Sequence, residues 1–144
     1  MSTPPSTAPY PIGTLGTPWG AAEKAHWLGR QRVQRSYEGE VVAPLKALLP
    51  NGAELFQYGA LDYSRLGLGS YPLYAVRSRD WRPDRPMALV TGGVHGYETS
   101  GVQGALQWLE HDFHLHTGTV NLLVLSCISP WGYETVNRWN PHAL

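Results

Sequence analysis

The spacing of hydrophobic residues changes along this chain, from a helical period in its first third to a strand period after residue 52. Apolar residues three or four apart, among charged ones, predict an amphipathic helix that begins after residues 18–20 and runs towards Arg35. A second helical stretch covers residues 38–49 and ends at the stop signal of residues 50–52. The first third of the chain is therefore predicted to be helical.

Strands dominate the pattern that follows. Short strands are predicted over residues 53–60 and 72–77, and the apolar run at 87–91 is typical of a strand buried on both faces of a parallel sheet. A helix begins near Glu98, and residues 120–125 form a second buried strand. The apolar face of that helix is formed by Val102, Ala105, Leu106 and Leu109. The pattern predicts an α/β fold with a right-handed, parallel βαβ unit.

Composition limits the classes of protein to which the chain can belong. Its 144 residues suit one domain, and eleven basic against eleven acidic residues give zero net charge. We therefore expect no nucleic-acid partner and no membrane surface as partner. The longest apolar run, residues 120–128, is too short to span a membrane. A single cysteine, Cys127, excludes an internal disulfide.

The N-terminal residues differ in composition from the rest. Residues 1–18 are rich in proline, serine and threonine, which predicts an extended arm ahead of a domain that covers residues 19–144. They lack the basic start and the apolar segment of a secretory signal. We therefore expect a cytoplasmic protein.

Two loops are the places to look for chemistry, because ligands bind beyond the carboxyl ends of parallel strands. The first, residues 92–100, contains His95 and, three residues later, Glu98. Side chains three apart in a helical turn can reach one ion, and imidazole with carboxylate suits zinc. The alternative is structural: Glu98 would face the dipole of the following helix and His95 would be an ordinary loop residue.

The second loop, residues 126–140, contains Arg138, which could hold a carboxylate or stabilise an oxyanion if it lies near a metal. Read alone, Arg138 is better explained as an ordinary surface or stacked arginine. Of the other histidines, His142 is a further candidate ligand because it follows Arg138 closely. The remaining cluster lies near the predicted end of the helix, where positive charge complements the dipole: His111, His114 and His116.

The two loops together resemble a known family. The residues 93–98 (GVHGYE), then 129–133 (SPWGY), then 138–140 (RWN), are similar to the carboxypeptidase A-like zinc metallopeptidases, in particular to bacterial members. The resemblance covers essentially the whole chain. It departs at Ser129, where the family has asparagine in an NPxG turn, and we expect little functional cost there.

The resemblance implies a fold, a cofactor and site residues. It implies a mixed, partly parallel sheet flanked by helices, as in the N-terminal half of a carboxypeptidase-like, phosphorylase/hydrolase-like fold. It also implies that His95 and Glu98 are two of three zinc ligands, and that Arg138 polarises the scissile carbonyl. The family's carboxylate-binding Asn–Arg pair, third ligand and general base come later than residue 144. We therefore expect a metallocarboxypeptidase that is inactive as these 144 residues alone.

Other interpretations remain open at this point. An aspartoacylase-like N-acyl amino acid deacylase uses a similar half-site, so the substrate is expected to be a peptide or an acyl amino acid. A non-catalytic metal-binding or scaffolding module is the alternative from a different class.

In the family the strand that matches residues 87–91 is central. Without the later strands it would be an exposed edge, which predicts self-association or a bound C-terminal fragment.

Overall fold

The structure, a computed structural model, describes residues 11–144. Its elements in chain order are α1 (Ala21–Arg30), a π-helical turn (Glu38–Val42) continuous with α2 (Ala43–Ala47), β1 (Ala53–Asp62), a 3-10 turn (Ser64–Leu66), β2 (Ser70–Ser78), β3 (Met87–Thr91), α3 (Thr99–His111), α4 (Phe113–His116), β4 (Asn121–Leu125) and α5 (Pro130–Thr135). The expected arm, residues 1–18, lies partly outside the described residues. Residues 11–18 contain no helix or strand.

Four strands form one mixed sheet in the order β1-β2-β4-β3. The β1–β2 hairpin is antiparallel along its whole length, and β4 pairs in parallel with β3. Between β2 and β4 the antiparallel register is short: Val76 pairs with Val124 and Arg77 with Leu123. The Ser78 hydroxyl extends this junction by accepting the Leu122 N–H at 2.9 Å. The predicted α/β class and the parallel β3–α3–β4 pairing are confirmed.

The core lies between α3 and the sheet. All four residues predicted for the apolar face of α3 are buried, at 5% exposure or less: Val102, Ala105, Leu106 and Leu109. Val102, Leu106 and Leu109 pack in one cluster with Val76, Val124 and Phe113. Cys127, a free cysteine, belongs to the same cluster, and burial raises the pKa of its thiol to about 12.

One strand is less buried than its sequence predicts. Ala88 and Val90 of β3 pack against the core cluster, but Met87 and Leu89 are 61% and 54% exposed. The prediction of burial on both faces is wrong for residues 87–91, because core residues contact only one face of this strand. Within residues 11–144, β3 is also an edge strand, paired only with β4.

The helices differ from the predicted ones at their ends. Helix α1 ends at Arg30, so the helical pattern towards Arg35 extends too far, and the stretch predicted over 38–49 begins with a π-helical turn. The segment 126–140, predicted as a loop, contains the short helix α5. None of the helices in residues 11–144 is both long and apolar enough to cross a lipid bilayer.

Candidate metal centre

The two loops predicted to hold the chemistry follow β3 and β4 and are joined by backbone hydrogen bonds. The Gly92 N–H donates to the Leu125 carbonyl at 2.8 Å, and the Ile128 N–H donates to the Gly92 carbonyl at 3.1 Å. The Ser129 N–H then donates to the Gly93 carbonyl at 2.9 Å. The pairing of the two strands thus continues beyond their ends, and the loops are held side by side.

Glycine allows this close approach. Gly93 has a φ of +60°, and a Cβ there would lie 2.7 Å from a methyl carbon of Val102. A Cβ on Gly96 would lie 1.8 Å from the carbonyl carbon of Gly132 in α5. The first loop therefore lies directly against the backbone of α5, with no room for a side chain between them.

His95 and Glu98 face each other in the first loop. The Nδ1 atom of His95 lies 3.4 Å from Oε1 of Glu98, and the two side chains are 36% and 49% exposed. Glu98 occupies the N-cap position of α3, but its carboxylate makes no capping hydrogen bond. The carboxylate lies next to His95 instead of bonding with the helix N–H groups.

The donor atoms of this pair fit a zinc ion. Two ligand atoms held at 2.0–2.2 Å by one tetrahedral zinc are about 3.4 Å apart, which is the separation of Nδ1 and Oε1 here. Hydrogen bonds with Tyr97, and then with His95, lower the pKa of Glu98, so that its carboxylate is charged at neutral pH. Both the chemistry and the spacing of the two donors suit a divalent cation.

No third protein ligand joins them in the described part of the chain. Residues 11–144 contain no group of three or more His, Cys, Asp or Glu side chains that could hold a metal ion. His142 packs instead against Tyr63, with ring centroids 6.0 Å apart. His116 stacks on Trp108 beside α4. The hypothesis that His142 completes the site is therefore wrong for this structure.

Arg138 lies in the second loop, after the left-handed residue Val136 (φ +55°) that ends α5. Its guanidinium is 5.4 Å from the ring centroid of Trp139. Its charge also contributes to lowering the pKa of Glu98, after the larger effects of Tyr97 and His95. The two loops thus bring all three predicted site residues to one end of the β3–β4 pair.

Three residues near the site were missed by the sequence analysis. The ring of Tyr97 stacks on that of His95. Arg35 donates to the Gly96 carbonyl at 3.3 Å, and its guanidinium lies 5.2 Å from the ring centroid of Tyr133. The Glu134 carboxylate accepts hydrogen bonds from residues far away in the chain. Of these three, only Tyr97 could have been identified from the sequence, because it lies between His95 and Glu98.

Comparison with known proteins shows likeness in structure only. The sequence matches no family model and no curated protein. A candidate metallopeptidase of Shewanella amazonensis SB2B is 23% identical with a TM-score of 0.58, over 79% of this chain and 44% of that one. A candidate carboxypeptidase A of Shewanella denitrificans OS-217 is 18% identical with a TM-score of 0.58, over 76% and 30%.

A metallo-carboxypeptidase of Burkholderia cenocepacia is 13% identical with a TM-score of 0.55, over 72% of this chain and 30% of that one. The chain thus spans less than half the length of each of these three structures. At such identities the likeness establishes the fold. Over the matched residues, the chain has the mixed α/β fold of carboxypeptidase A-like metallopeptidases.

Proposed function

We propose that this chain carries part of the active site of a zinc-dependent metallocarboxypeptidase, with His95 and Glu98 as two metal ligands. The observation that supports it is the 3.4 Å separation of Nδ1 and Oε1 in a loop beyond the carboxyl end of a parallel strand. The carboxypeptidase-like fold of solved structures agrees with this proposal.

The residues of the chain would have distinct tasks in hydrolysis of a C-terminal peptide bond. A zinc ion, when bound, supplies Lewis-acid activation of water and of the scissile carbonyl. His95 and Glu98 would hold the ion from one side through a nitrogen and an oxygen donor. Arg138, exposed in the adjacent loop, would donate hydrogen bonds to the oxyanion that forms at the carbonyl oxygen.

Two ligands are fewer than the three that catalytic zinc sites use. We therefore expect the 144 residues alone to bind zinc weakly and to leave C-terminally unblocked peptides uncleaved when zinc is added. Turnover that Glu98→Ala abolishes would show that the described residues suffice, and would contradict this expectation.

The metal ligands are tested directly by titrating the chain with Zn²⁺ against a chromophoric chelator. We expect saturable binding of one ion, with His95→Ala and Glu98→Gln each raising the dissociation constant by at least about tenfold, because even substitutions outside the ligand shell cost that much.

The chain offers a matched control in a second histidine–glutamate pair at the end of α3. His111 Nε2 lies 3.6 Å from Glu110 Oε2, a spacing close to that of the candidate ligands. We expect His111→Ala to leave zinc binding unchanged. Absence of saturable binding by the unmodified chain, or an equal effect of His111→Ala, would show that the proposed ligands are wrong.

A further inference from the structure

Tyr97 packs against one candidate ligand and directly precedes the other in the sequence. Its ring is nearly parallel to the imidazole of His95, at an interplanar angle of 10° with centroids 6.1 Å apart. A centroid distance of this size is within the range of offset aromatic stacking.

The backbone of Tyr97 connects the two loops as well. Its N–H donates to the carbonyl of Asn137 at 3.1 Å, the residue immediately before Arg138. On the side of its own loop, the Glu98 N–H donates to the His95 carbonyl at 3.2 Å and closes the turn around Tyr97. The main chain of Tyr97 thus joins the His95–Glu98 turn to the segment that carries Arg138, and its ring packs on His95.

Burial argues against a role for Tyr97 in the core. Its side chain is 40% exposed, whereas Tyr133, against which the same loop packs, is fully buried and Tyr37 is 4% exposed. Tyr97 is absent from the hydrophobic cluster that holds the sheet and α3 together. Its contacts are with site residues, so the position of this ring affects the site more than the fold.

We propose that Tyr97 is a positioning residue, whose ring fixes the plane of the His95 imidazole. This inference rests on the proposed function in so far as His95 and Glu98 are the metal ligands. Without the ring of Tyr97 both ligands remain, but the imidazole must be ordered when a metal binds, which weakens binding.

The test uses Tyr97→Leu, Tyr97→Phe and the control Tyr58→Leu, which removes a tyrosine of equal exposure (41%) on β1. Co²⁺ affinity is measured by visible absorption, and the ring signals of His95 are followed by NMR in metal-free protein. We expect Tyr97→Leu to weaken Co²⁺ binding about tenfold. It should also move the His95 ring signals towards those of a free imidazole, since the ring current of Tyr97 is lost.

Tyr97→Phe tests whether the ring alone is sufficient. It keeps the stacked ring, so we expect the His95 signals to stay close to those of the unmodified protein. The Co²⁺ affinity should also stay close to that of the unmodified protein. Tyr58→Leu should change neither the affinity nor these signals. If Tyr97→Leu leaves the signals and the affinity unchanged, or if Tyr58→Leu weakens Co²⁺ binding equally, the positioning role is wrong.

Failure of the proposed function would be seen separately. If the unmodified chain binds no Co²⁺, His95 and Glu98 are not metal ligands in this chain, and the metal-free NMR signals alone then decide the role of Tyr97. Movement of the His95 ring signals in Tyr97→Leu would still support the stacking contacts. Unchanged signals would overturn them.

Discussion

Gly96 separates the two candidate ligands in the sequence and lies against the backbone of α5. The position allows no side chain, because a Cβ would lie 1.8 Å from the carbonyl carbon of Gly132 and 2.1 Å from the nitrogen of Tyr133. These are backbone atoms of a helix whose tryptophan and tyrosine are buried, so they cannot move aside at low cost.

We expect Gly96→Ala to lower the free energy of unfolding by about 3 kcal/mol, the upper part of the range for overpacking a dense interior. Urea denaturation followed by tryptophan fluorescence measures it. Gly104→Ala is the matched control, since a Cβ on Gly104 in α3 meets nothing within 4 Å. That substitution should raise the free energy of unfolding by roughly 0.5–1 kcal/mol. Equal effects of the two substitutions would contradict the packing argument.

At the scale of single residues, the sequence allowed prediction of the His95–Glu98 turn and of Arg138, because glycines and strand ends mark both loops. It could not indicate Arg35, whose contact with the Gly96 carbonyl spans 61 positions. Nor could it reveal that Met87 and Leu89 are exposed, because an apolar strand has the same sequence pattern whether one or both of its faces are covered.

At the scale of elements, α5 is held by the connecting segment, residues 31–37. The main-chain carbonyl of Glu134 accepts the N–H groups of Gln34 and Arg35, at 2.7 and 3.1 Å. Its carboxylate accepts the Tyr37 N–H and the Tyr71 hydroxyl, both at 3.0 Å. One glutamate thus connects the end of α5 to the connecting segment and to β2.

We expect Glu134→Ala to lower the free energy of unfolding by about 1–3 kcal/mol, because the Tyr37 N–H and the Tyr71 hydroxyl would lose their acceptor. Glu38→Ala, which removes only an exposed ion pair with Lys46, should change it by less than about 0.5 kcal/mol. A double-mutant cycle with Tyr71→Phe should give a coupling energy of about 0.5–1.5 kcal/mol. Additive effects would show that the Glu134–Tyr71 contact contributes nothing.

The contribution of the Glu134–Tyr71 contact to the free energy of unfolding depends on pH, and its sign follows from the pKa of Tyr71. Burial, and then the hydrogen bond to Glu134, raise the pKa of Tyr71 above its ordinary value of 10.0. The stabilisation is therefore complete below about pH 10 and is lost as the pH rises above it. Tyr71→Phe should accordingly reduce the loss of stability between pH 10 and pH 11 in urea titrations.

The predicted helices differ from the observed ones where hydrogen bonds to residues distant in the chain determine their bounds. Helix α1 ends at Arg30 although the helical pattern continues, because the backbone of the connecting segment bonds with α5, about 100 positions later. Helix α5 itself has only six residues and begins with a proline, so the sequence gives it no helical period. By contrast, α3 and the strands around it follow their local hydrophobic pattern closely.

At the scale of the molecule, β3 is an edge strand of the sheet formed by residues 11–144, and two of its apolar side chains are exposed. An edge of this kind presents unpaired backbone groups to another strand. We propose that two copies of this chain associate through β3, which is one of the two alternatives predicted from the sequence. The exposed Met87 and Leu89 would be partly covered by side chains of the second copy in such a pair.

Light scattering and sedimentation over a range of concentrations test this association. We expect the mass to rise with concentration, and Leu89→Lys to weaken the association by at least about tenfold, since lysine on an edge strand opposes pairing. Leu115→Lys is the control, because Leu115 on α4 is at least as exposed as Leu89, at 64% against 54%. A monomer at every concentration, or an equal effect at Leu115, would exclude β3 as the interface.

The short junction between β2 and β4 has a mechanical consequence. Two residue pairs and the Ser78 hydroxyl cross it, whereas β3 and β4 are paired along their full length and into the loops beyond. Under a force that separates the strands, the hydrogen bonds between β2 and β4 would break before those between β3 and β4. The β1–β2 hairpin would then separate as one unit. The three predicted site residues would remain together on the β3–β4 pair: His95, Glu98 and Arg138.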